Sequence, residues 1–411
     1  MSTALAGCIV LAAVALLAGC GSSSSNTDTV PAGTTLTIYS SLPFNGPQRQ
    51  QALDVRDAEL LALRQHHDRV GKYTIRYISL DDSTAKKGGW EPDATSANAR
   101  TAAQDKTTIA YLGDLDSGAT AISLPVLNAV GTLQVSPASP TVGLTQGGVG
   151  ADKGEPDKYY PTATRTFGRV MPNDTAQGTA LAQYMVDKRC TELYVLHDIE
   201  LYDGGGLAQV AAAQASADGI EPVGDAVLGL GGPKVPKLIS QIKSSGADCV
   251  LFSVVAADHP APAMNAVHDA LPNVKLFGPS QLVNERFTSS LEPDTQAVTF
   301  LISPVAPPSE QSPEGRRFAA QFAAANGHAP APDAVFGYVA MNAVLQAIAD
   351  AGSKGADRRA VIKAFLKLRN QHSPAGTYSV DRRGDTTLNT FAGYQIRGGR
   401  PVADPEFVSA S

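Results

Sequence analysis

The residues of this 411-residue chain that could do chemistry are dispersed and form no compact catalytic motif. The sequence has no G-x-S-x-G elbow, no H-E-x-x-H pair, no Walker phosphate-binding loop and no second cysteine pair for zinc. The adjacent His66 and His67 point in different directions on a predicted helix, which indicates solvated surface and not a metal site. The glycines of residues 203–206 predict a helix start, because the G-x-G-x-x-G spacing of a dinucleotide loop is missing. We therefore expect no enzyme activity, no cofactor and no metal.

Cys20 follows an N-terminal apolar segment, and its position predicts a lipid attachment site. Residues 9–18 are uncharged, too short to cross a bilayer, and end in the small residues of the motif LAGC at 17–20. This motif resembles a bacterial lipobox, which implies a thioether-linked diacylglycerol on Cys20 and removal of a signal peptide, residues 1–19. The alternative is an ordinary secretory signal that contains a cysteine. Residues 1–7 have no Lys or Arg, which favours a start codon upstream of Met1.

Composition beyond the lipid site predicts a tether followed by two domains. Residues 20–35 are rich in Ser, Thr and Gly and predict a flexible tether. About 375 residues follow, which exceeds what one hydrophobic core usually fills. The formal net charge is −6, and no basic cluster is present, which argues against a nucleic-acid partner. Because no polybasic or amphipathic segment adds a second contact, the lipid is the one expected link to the membrane.

Cys190 and Cys249 are the cysteines that remain once Cys8 leaves with the signal and Cys20 carries the lipid. Each stands at the start of an apolar run that predicts a strand. In a doubly wound sheet of order 2-1-3, the first and third strands are neighbours, so both sulfurs can lie at the same end of adjacent strands. A disulfide is feasible if the Cα atoms come within about 7 Å. Two buried thiols are the alternative.

Short apolar runs alternate with helical patterns along most of the chain. The predicted strands are residues 36–40, 74–80, 108–112, 132–136, 193–197, 249–255, 275–277 and 298–302. Helices are predicted at 175–188, after the possible caps Asn173 and Asp174, and at 335–351. This alternation predicts an α/β fold whose parallel sheets are covered on both faces. Ligand-binding loops are then expected at the carboxyl ends of the strands.

Three segments stand outside this alternation. Residues 146–161 are rich in glycine and charge, and they predict a surface insertion. Residues 304–313 contain Pro307 and Pro308 and predict a crossover between domains. Asp81 and Asp82 close a predicted strand; we expect them to cap the next turn, and the alternative is that one of them faces a cleft.

A series of loop motifs follows the predicted strands in a fixed order. The motifs are IYSSLPFNGP at 38–47, DDS at 81–83, SGAT at 117–120, SPAS at 136–139, the stretch 169–178, YDG at 202–204 and FGP at 277–279. In order and spacing they resemble the leucine/isoleucine/valine-binding type of periplasmic binding protein, over nearly all of residues 36–403. The resemblance implies a type I Venus flytrap fold of two lobes, each a doubly wound, mostly parallel sheet, that close on one ligand.

The resemblance also implies boundaries, function and partners. One lobe takes residues 36–172 plus 305–385, and the other takes residues 173–304 plus 386–408. The implied function is that of an extracytoplasmic lipoprotein, anchored on the cell membrane, that delivers a small ligand such as an amino acid to an ABC importer. A ligand-sensing or cell-envelope interaction protein with the same fold is the alternative. The expected partners are the ligand and the importer's permease, and the chain is expected to be a monomer.

Carried onto this chain, the family's ligand contacts fall on Ser117, Ala138 and Tyr202. Ser117 and neighbouring backbone N–H groups would bind a ligand carboxylate at a helix start. The Ala138 carbonyl would take the ligand's amino group, and Tyr202 would reach the ligand from the other lobe. The family's next contact, a threonine, aligns with Pro140, and Thr141 is the nearest hydroxyl. The structural alternatives are a helix cap for Ser117, a strand end for Ala138 and a packed loop aromatic for Tyr202.

Two departures from the family concern the ligand's chemistry. Ser280 stands where the family has an acidic residue after Gly-Pro that holds an α-ammonium group, and Glu285 is the nearest acid downstream. Without that charge, a buried ammonium loses a charge-assisted hydrogen bond worth roughly 1.5–3 kcal/mol. Gln51 aligns with an aromatic residue of the family's side-chain pocket, and Arg49 lies nearby. The sequence therefore leaves open a branched-chain amino acid and a polar, acidic or non-amino ligand.

Overall fold

A computed structural model describes residues 29, 35–198, 202, 204–228, 235–255, 259–307 and 310–409. The predicted lipid site Cys20, the signal peptide and Asp203 lie outside these residues. Among the helices that the structure describes, none has the length and apolar character needed to cross a membrane.

The first part of the chain builds a six-stranded sheet with helices packed against it. Its elements are β1 (Thr35–Leu42), α1 (Arg49–Gln65), β2 (Arg69–Val70), β3 (Tyr73–Asp81), β4 (Ser83–Thr84), β5 (Gly89–Trp90), α2 (Pro92–Gln104), β6 (Thr108–Leu112), α3 (Ser117–Ala129), β7 (Leu133–Ser136) and β8 (Phe167–Arg169). The strand order is β2-β3-β1-β6-β7-β8, and all pairs are parallel except the edge pair β2-β3. β4 and β5 form a separate two-stranded sheet.

The second part builds a seven-stranded sheet. Its first elements are α4 (Asp174–Asp187), β9 (Glu192–His197), α5 (Gly205–Ala217), β10 (Glu221–Val227), α6 (Val235–Ser245), β11 (Cys249–Ser253), α7 (Ala261–Ala270), β12 (Lys275–Gly278), α8 (Glu285–Thr288), α9 (Pro293–Ala297) and β13 (Thr299–Ser303). The chain then returns to the first lobe through α10 (Pro313–Asn326), α11 (Ala334–Asp350), α12 (Arg358–Phe365), β14 (Gln371–Ser373) and β15 (Gly376–Tyr378). It ends in the second sheet with β16 (Ala392–Arg397) and β17 (Arg400–Val408). The second sheet has the order β10-β9-β11-β12-β13-β16-β17, with antiparallel pairing at the β13-β16-β17 end.

Burial explains why these strands need helices on both faces. Seven of the eight residues of β1 are buried, and all five residues of β6 and of β11 are buried. A strand buried on both faces requires a covering layer on each side. In the first lobe, one layer comes from α1 and from α11, which supplies buried side chains such as Phe336 and Val344. The segment that returns after residue 304 therefore completes the core of the first lobe.

Cys190 and Cys249 form a disulfide at the starts of β9 and β11, with their Cα atoms 5.8 Å apart. The two strands are neighbours because the order β10-β9-β11 is the predicted 2-1-3 arrangement, and Cys249 pairs with Leu193 in the register. The bridge closes a sequence separation of 59 residues. Within the described part of the chain, these sulfurs and Asp248 are the one grouping of metal-type ligands. Sulfurs joined in a disulfide are not the thiolates that bind metal.

The predicted α/β fold of two lobes with mostly parallel sheets is confirmed. All eight predicted strands occur, with ends shifted by at most two residues; the strand predicted at 249–255, for example, ends at Ser253. The interpretation of residues 146–161 as a surface insertion is wrong for part of the segment. Tyr159 and Tyr160 are 3% and 5% exposed, and Tyr160 Oη donates to the Leu144 carbonyl at 2.8 Å. The prediction relied on the many glycines and charges of this segment and did not identify these two tyrosines as buried residues.

Candidate ligand-binding cleft

A cleft of about 870 Å³ lies between the two lobes. Its walls include the loops that follow β1, β6 and β7 in the first lobe and β9, β11 and β12 in the second. Carboxyl ends of parallel strands are the expected place for a ligand in α/β sheets, and this volume suits a small organic molecule. The lining residues that bear on the ligand's chemistry are Gln48, Gln51, Asp116, Ser117, Ala138, Pro140, Asp174, Tyr202, Ser280 and Asp333.

The start of α3 places a hydroxyl and a carboxylate together on the cleft wall. Ser117 is the first residue of α3 and is 3% exposed, and its Oγ accepts a hydrogen bond from the Thr141 backbone N–H at 3.3 Å. Asp116 precedes it in extended backbone, and its Oδ1 accepts from Gln48 Nε2 at 2.8 Å. The backbone N–H groups of a helix start favour an anion. The carboxylate of Asp116 opposes that preference at this helix start.

The loop after β7 carries two lining residues and one that is not in the wall. Ala138 and Pro140 line the cleft, as do Ser117, Tyr202 and Ser280. Thr141 is fully buried and does not line the cleft that the described residues form. Its carbonyl accepts a hydrogen bond from Arg169 Nη1 at 2.8 Å. The structure thus brings the predicted ligand-site residues Ser117, Ala138, Tyr202 and Ser280 to the cleft and places the fifth, Thr141, behind its wall.

Arg169 stabilises the loop after β7 through hydrogen bonds to its backbone. It is fully buried, and its Nε donates to Asp385 Oδ1 at 2.7 Å in an ion pair. Nη1 donates to the Ser139 and Thr141 carbonyls, and Nη2 donates to Thr145 Oγ1 at 2.6 Å. The five donors of a guanidinium in a rigid plane suit such a set of acceptors. Arg169 therefore fixes the backbone next to Ala138 and Pro140.

Tyr202 is tied to the first lobe by a network of buried polar groups. Its hydroxyl lies 2.6 Å from the Tyr159 hydroxyl and 3.3 Å from Glu155 Oε1. Tyr159 also donates to Glu155 Oε1, and Lys158 Nζ lies 3.0 Å from the same oxygen. Burial raises the pKa of Tyr159 well above its ordinary value, so the hydroxyl stays protonated and can donate. Tyr202 lines the cleft and also joins the two lobes.

Residues 146–161 make a second contact across the lobes. The Gly150 backbone N–H donates to Gln209 Oε1 on α5 at 3.3 Å. Gly150 has a φ of +82°, and a Cβ there would lie 2.9 Å from the Gly206 carbonyl and 2.8 Å from Val210 Cγ2. Glycine is required for so close an approach of the segment to α5.

Ser280 lies beside a buried carboxylate that the sequence analysis assigned to capping. Asp174 is 4% exposed and lines the cleft. Its Oδ1 accepts from Gln177 Nε2 at 3.1 Å, and Gln177 Oε1 in turn accepts from the Ser280 backbone N–H at 3.0 Å. Burial raises the pKa of Asp174 to about 6, against the positive charge of Arg169 and the hydrogen bond from Gln177. A single glutamine side chain therefore links Ser280 to a carboxylate.

Gln51, the second departure from the family, also contacts a carboxylate. Its Nε2 donates a hydrogen bond to Oδ2 of Asp333, the residue that immediately precedes α11. Burial raises the pKa of Asp333 to about 6, and the hydrogen bond from Gln51 opposes this shift. The polar residue that replaces an aromatic thus orients an acidic group on the cleft wall.

The sequence analysis missed Asp116 and Asp333 as cleft residues and named Asp174 only as a possible cap. Each stands at a helix start, where an acidic residue usually caps or complements the helix dipole. In the structure, Asn173 caps α4 by accepting from the Ala176 N–H at 3.2 Å, and neither Asp116 nor Asp333 caps its helix through its side chain. The sequence signal that could have identified these cleft residues is an acidic residue at the start of a helix that faces the end of a strand.

Comparisons with known proteins agree with this architecture. The family described as "Periplasmic binding protein" matches residues 35–400. An amino acid binding protein of Pseudomonas aeruginosa is 22% identical over 324 residues, which cover 78% of this chain and 79% of that protein. The structure is similar to a leucine-binding protein of Thermotoga maritima, with TM-score 0.75, 18% identity, and coverage of 91% of this chain and 98% of the other. It is also similar to a solute-binding protein of R. palustris in complex with benzoate, with TM-score 0.73, 16% identity, and coverage of 90% and 95%.

The family match spans both lobes and the cleft between them, and it confirms the resemblance found in the loop motifs. The order of the strands, the return of the chain to the first lobe and the position of the cleft all agree with it. This chain belongs to the periplasmic binding protein family.

Proposed function

We propose that this protein is an extracytoplasmic solute-binding lipoprotein that encloses a small organic ligand between its lobes and delivers it to an ABC importer. The cleft carries this proposal, because its lining comes from the strand ends of both lobes. Such a site is complete only when the lobes are together, so ligand binding and closure favour each other. We propose residues 36–172 plus 305–385 and residues 173–304 plus 386–408 as the two moving lobes.

The range of ligands follows from the walls of the cleft and from the relatives. Leu115, Met171, Leu207, Val254 and Phe287 give one part of the lining an apolar character, and hydroxyl and carboxyl groups occupy the rest. The relatives include an amino acid binding protein, a leucine-binding protein and a protein in complex with benzoate. An amino acid or a related small acid fits both observations.

Identification of the retained ligand tests the proposal. We expect native mass spectrometry of gently purified protein to show one additional small molecule per chain, which is released on denaturation and identified in the filtrate. Uptake of that compound should fall in cells that lack this chain and recover on complementation. Retention of the compound without any change in uptake would assign the sensing alternative, and turnover of the compound would contradict a binding function.

The lipid anchor is tested separately, because the Cys20 sulfur is the atom that carries the diacylglycerol in this proposal. Cys20→Ser should move the protein from the membrane fraction to the soluble extracytoplasmic fraction. Cys8→Ser serves as the control, because Cys8 lies within the segment that the proposed cleavage removes. Continued fractionation of the Cys20 variant with membranes would contradict lipidation at this residue.

A further inference from the structure

The walls of the cleft carry mainly negative charge. Arg286, which is exposed, is the one Lys or Arg among the described lining residues. Opposite charge comes from the lining carboxylates of Asp116, Asp174, Asp269, Glu292 and Asp333. A ligand that enters this cleft therefore meets a negative potential.

Asp174 differs from the carboxylates at the rim because it lines the cleft while only 4% exposed. Its Oδ1 accepts from Gln177, and no described residue donates a hydrogen bond to its Oδ2. Arg169 is close enough to lower its pKa, but the guanidinium donates to Asp385, Thr145 and backbone carbonyls. A buried carboxylate with an unfilled acceptor is stabilised by a charged donor, and a protonated amine is one.

The position of this carboxylate is fixed from both sides of the cleft. The Asp174 backbone N–H donates to the Pro140 carbonyl at 2.8 Å, which anchors it to the loop after β7. Gln177 connects its side chain to Ser280 in the loop after β12. Since Asn173 already caps α4, the carboxylate of Asp174 is not needed as the cap. A rigid, oriented acceptor between the two walls is a recognition group.

We propose that Asp174 binds a protonated amine of the ligand, so that this cleft selects amine-bearing compounds over acids of the same carbon skeleton. This inference rests on the proposed function, because it assigns the ligand class of the same cleft. The charge that binds the amine then lies at the start of α4, and the side chain of Gln177 links it to the uncharged Ser280. The carboxylate of Asp333, held by Gln51, lines the same cleft and adds to the potential that favours a cation.

Matched probe pairs test this assignment on the full mature protein after ligand removal by unfolding and refolding. The pairs are L-leucine with 4-methylpentanoate and L-phenylalanine with 3-phenylpropanoate, measured by calorimetry at pH 7.5. In each pair the two compounds share a skeleton and a carboxylate and differ in the amine. We expect at least a 10-fold preference for the amine-bearing member of any pair that binds. Asp174→Asn should remove most of this preference and leave the affinity for the amine-free acid within about 3-fold.

Asp187→Asn is the matched control, because Asp187 lies at the opposite end of α4 and outside the described lining of the cleft. It should keep the wild-type preference, and thermal unfolding should show that both variants fold. Equal binding of the two members of a pair by the wild-type protein would overturn the assignment even if Asp174→Asn failed to fold. Binding of amine-free acids alone would overturn it and leave the proposed function standing. Absence of binding by every probe, with no retained ligand in the purified protein, would overturn both.

Discussion

The hydroxyl oxygens of Tyr159 and Tyr202 lie 2.6 Å apart, and this contact joins an insertion of the first lobe to a cleft residue of the second. Glu155, whose side chain is fully buried, accepts the hydrogen bond of Tyr159 and lies 3.3 Å from the hydroxyl of Tyr202. The network therefore exists only when the two lobes are together. It contributes to closure through Tyr202, although Tyr159 itself is not among the described residues that line the cleft.

Tyr159→Phe should shift the lobes towards the open arrangement. The change removes the hydroxyl that donates to Glu155 and contacts Tyr202, which costs about 1 kcal/mol and lowers ligand affinity about 5-fold. Small-angle scattering should report a larger radius of gyration for the ligand-free variant. Tyr160→Phe is the control, because the Tyr160 hydroxyl bonds to Leu144 within the first lobe. An equal expansion in both variants would show that the effect is not specific to the contact between the lobes.

Ser117→Ala should weaken the ligand that the cleft retains. If the Ser117 hydroxyl binds a ligand carboxylate at the start of α3, its loss costs about 1–3 kcal/mol, or roughly 5- to 150-fold in affinity. Thr141→Val should leave the affinity unchanged, because Thr141 lies behind the cleft wall in the described structure. Calorimetry with the identified ligand measures both. A larger loss for Thr141→Val than for Ser117→Ala would reverse these roles.

Arg169→Met should destabilise the protein strongly. The substitution leaves the 7%-exposed Asp385 without its ion-pair partner and removes the donors to the loop after β7, and breaking such a buried pair costs about 3–5 kcal/mol. Arg76→Met is the control, since the side chain of Arg76 is 52% exposed in its pair with Asp105, and such a solvent-accessible pair is worth about 1 kcal/mol or less. Urea unfolding gives both free energies. Comparable losses in the two variants would contradict the central role of Arg169.

The free energy of unfolding should fall as pH rises from 5 to 8. Burial raises the pKa of Asp82 to about 9, those of Glu59 and Asp114 to about 7, and those of Asp174 and Asp333 to about 6. The folded protein therefore keeps protons that the unfolded chain has already released, so stability is greatest at the acidic end of this window. The expected loss is about 2 kcal/mol or more across the window. Urea unfolding of the ligand-free protein at several pH values measures it.

Glu59→Gln should reduce this dependence, because it removes one of the buried carboxyl groups whose pKa is raised. Its side chain lies on the buried face of α1 and accepts a hydrogen bond from Tyr77 Oη at 2.5 Å, which the amide oxygen of glutamine can also accept. We expect the variant to be more stable than the wild-type protein at pH 8 and nearly equal to it at pH 5. Stability that increases with pH in the wild-type protein would contradict the sign of this prediction.

Local pattern was sufficient to predict most of the elements and the fold class. Apolar runs such as those of β1, β6 and β11 are continuous because both faces of each strand are buried, and this pattern is visible without contacts. The ordered loop motifs then predicted the family, and four of the five predicted contact residues line the cleft. Cys20 is a different case, since the prediction of a lipid there depends on the motif alone.

The sequence by itself determined the alternation of strands and helices and the motifs that follow them, because these depend on neighbours along the chain. Tertiary structure decided which polar groups face the cleft. Asp174 and Asn173 were equivalent as caps in sequence, and only the packing of α4 against Pro140 and Ser280 turned one to the cap and the other to the cleft. In the sequence, Tyr159 is one residue of a polar insertion. In the structure, Tyr202 of the second lobe contacts it. Contacts between residues far apart in the chain decide such roles, and residue type and local spacing do not encode them.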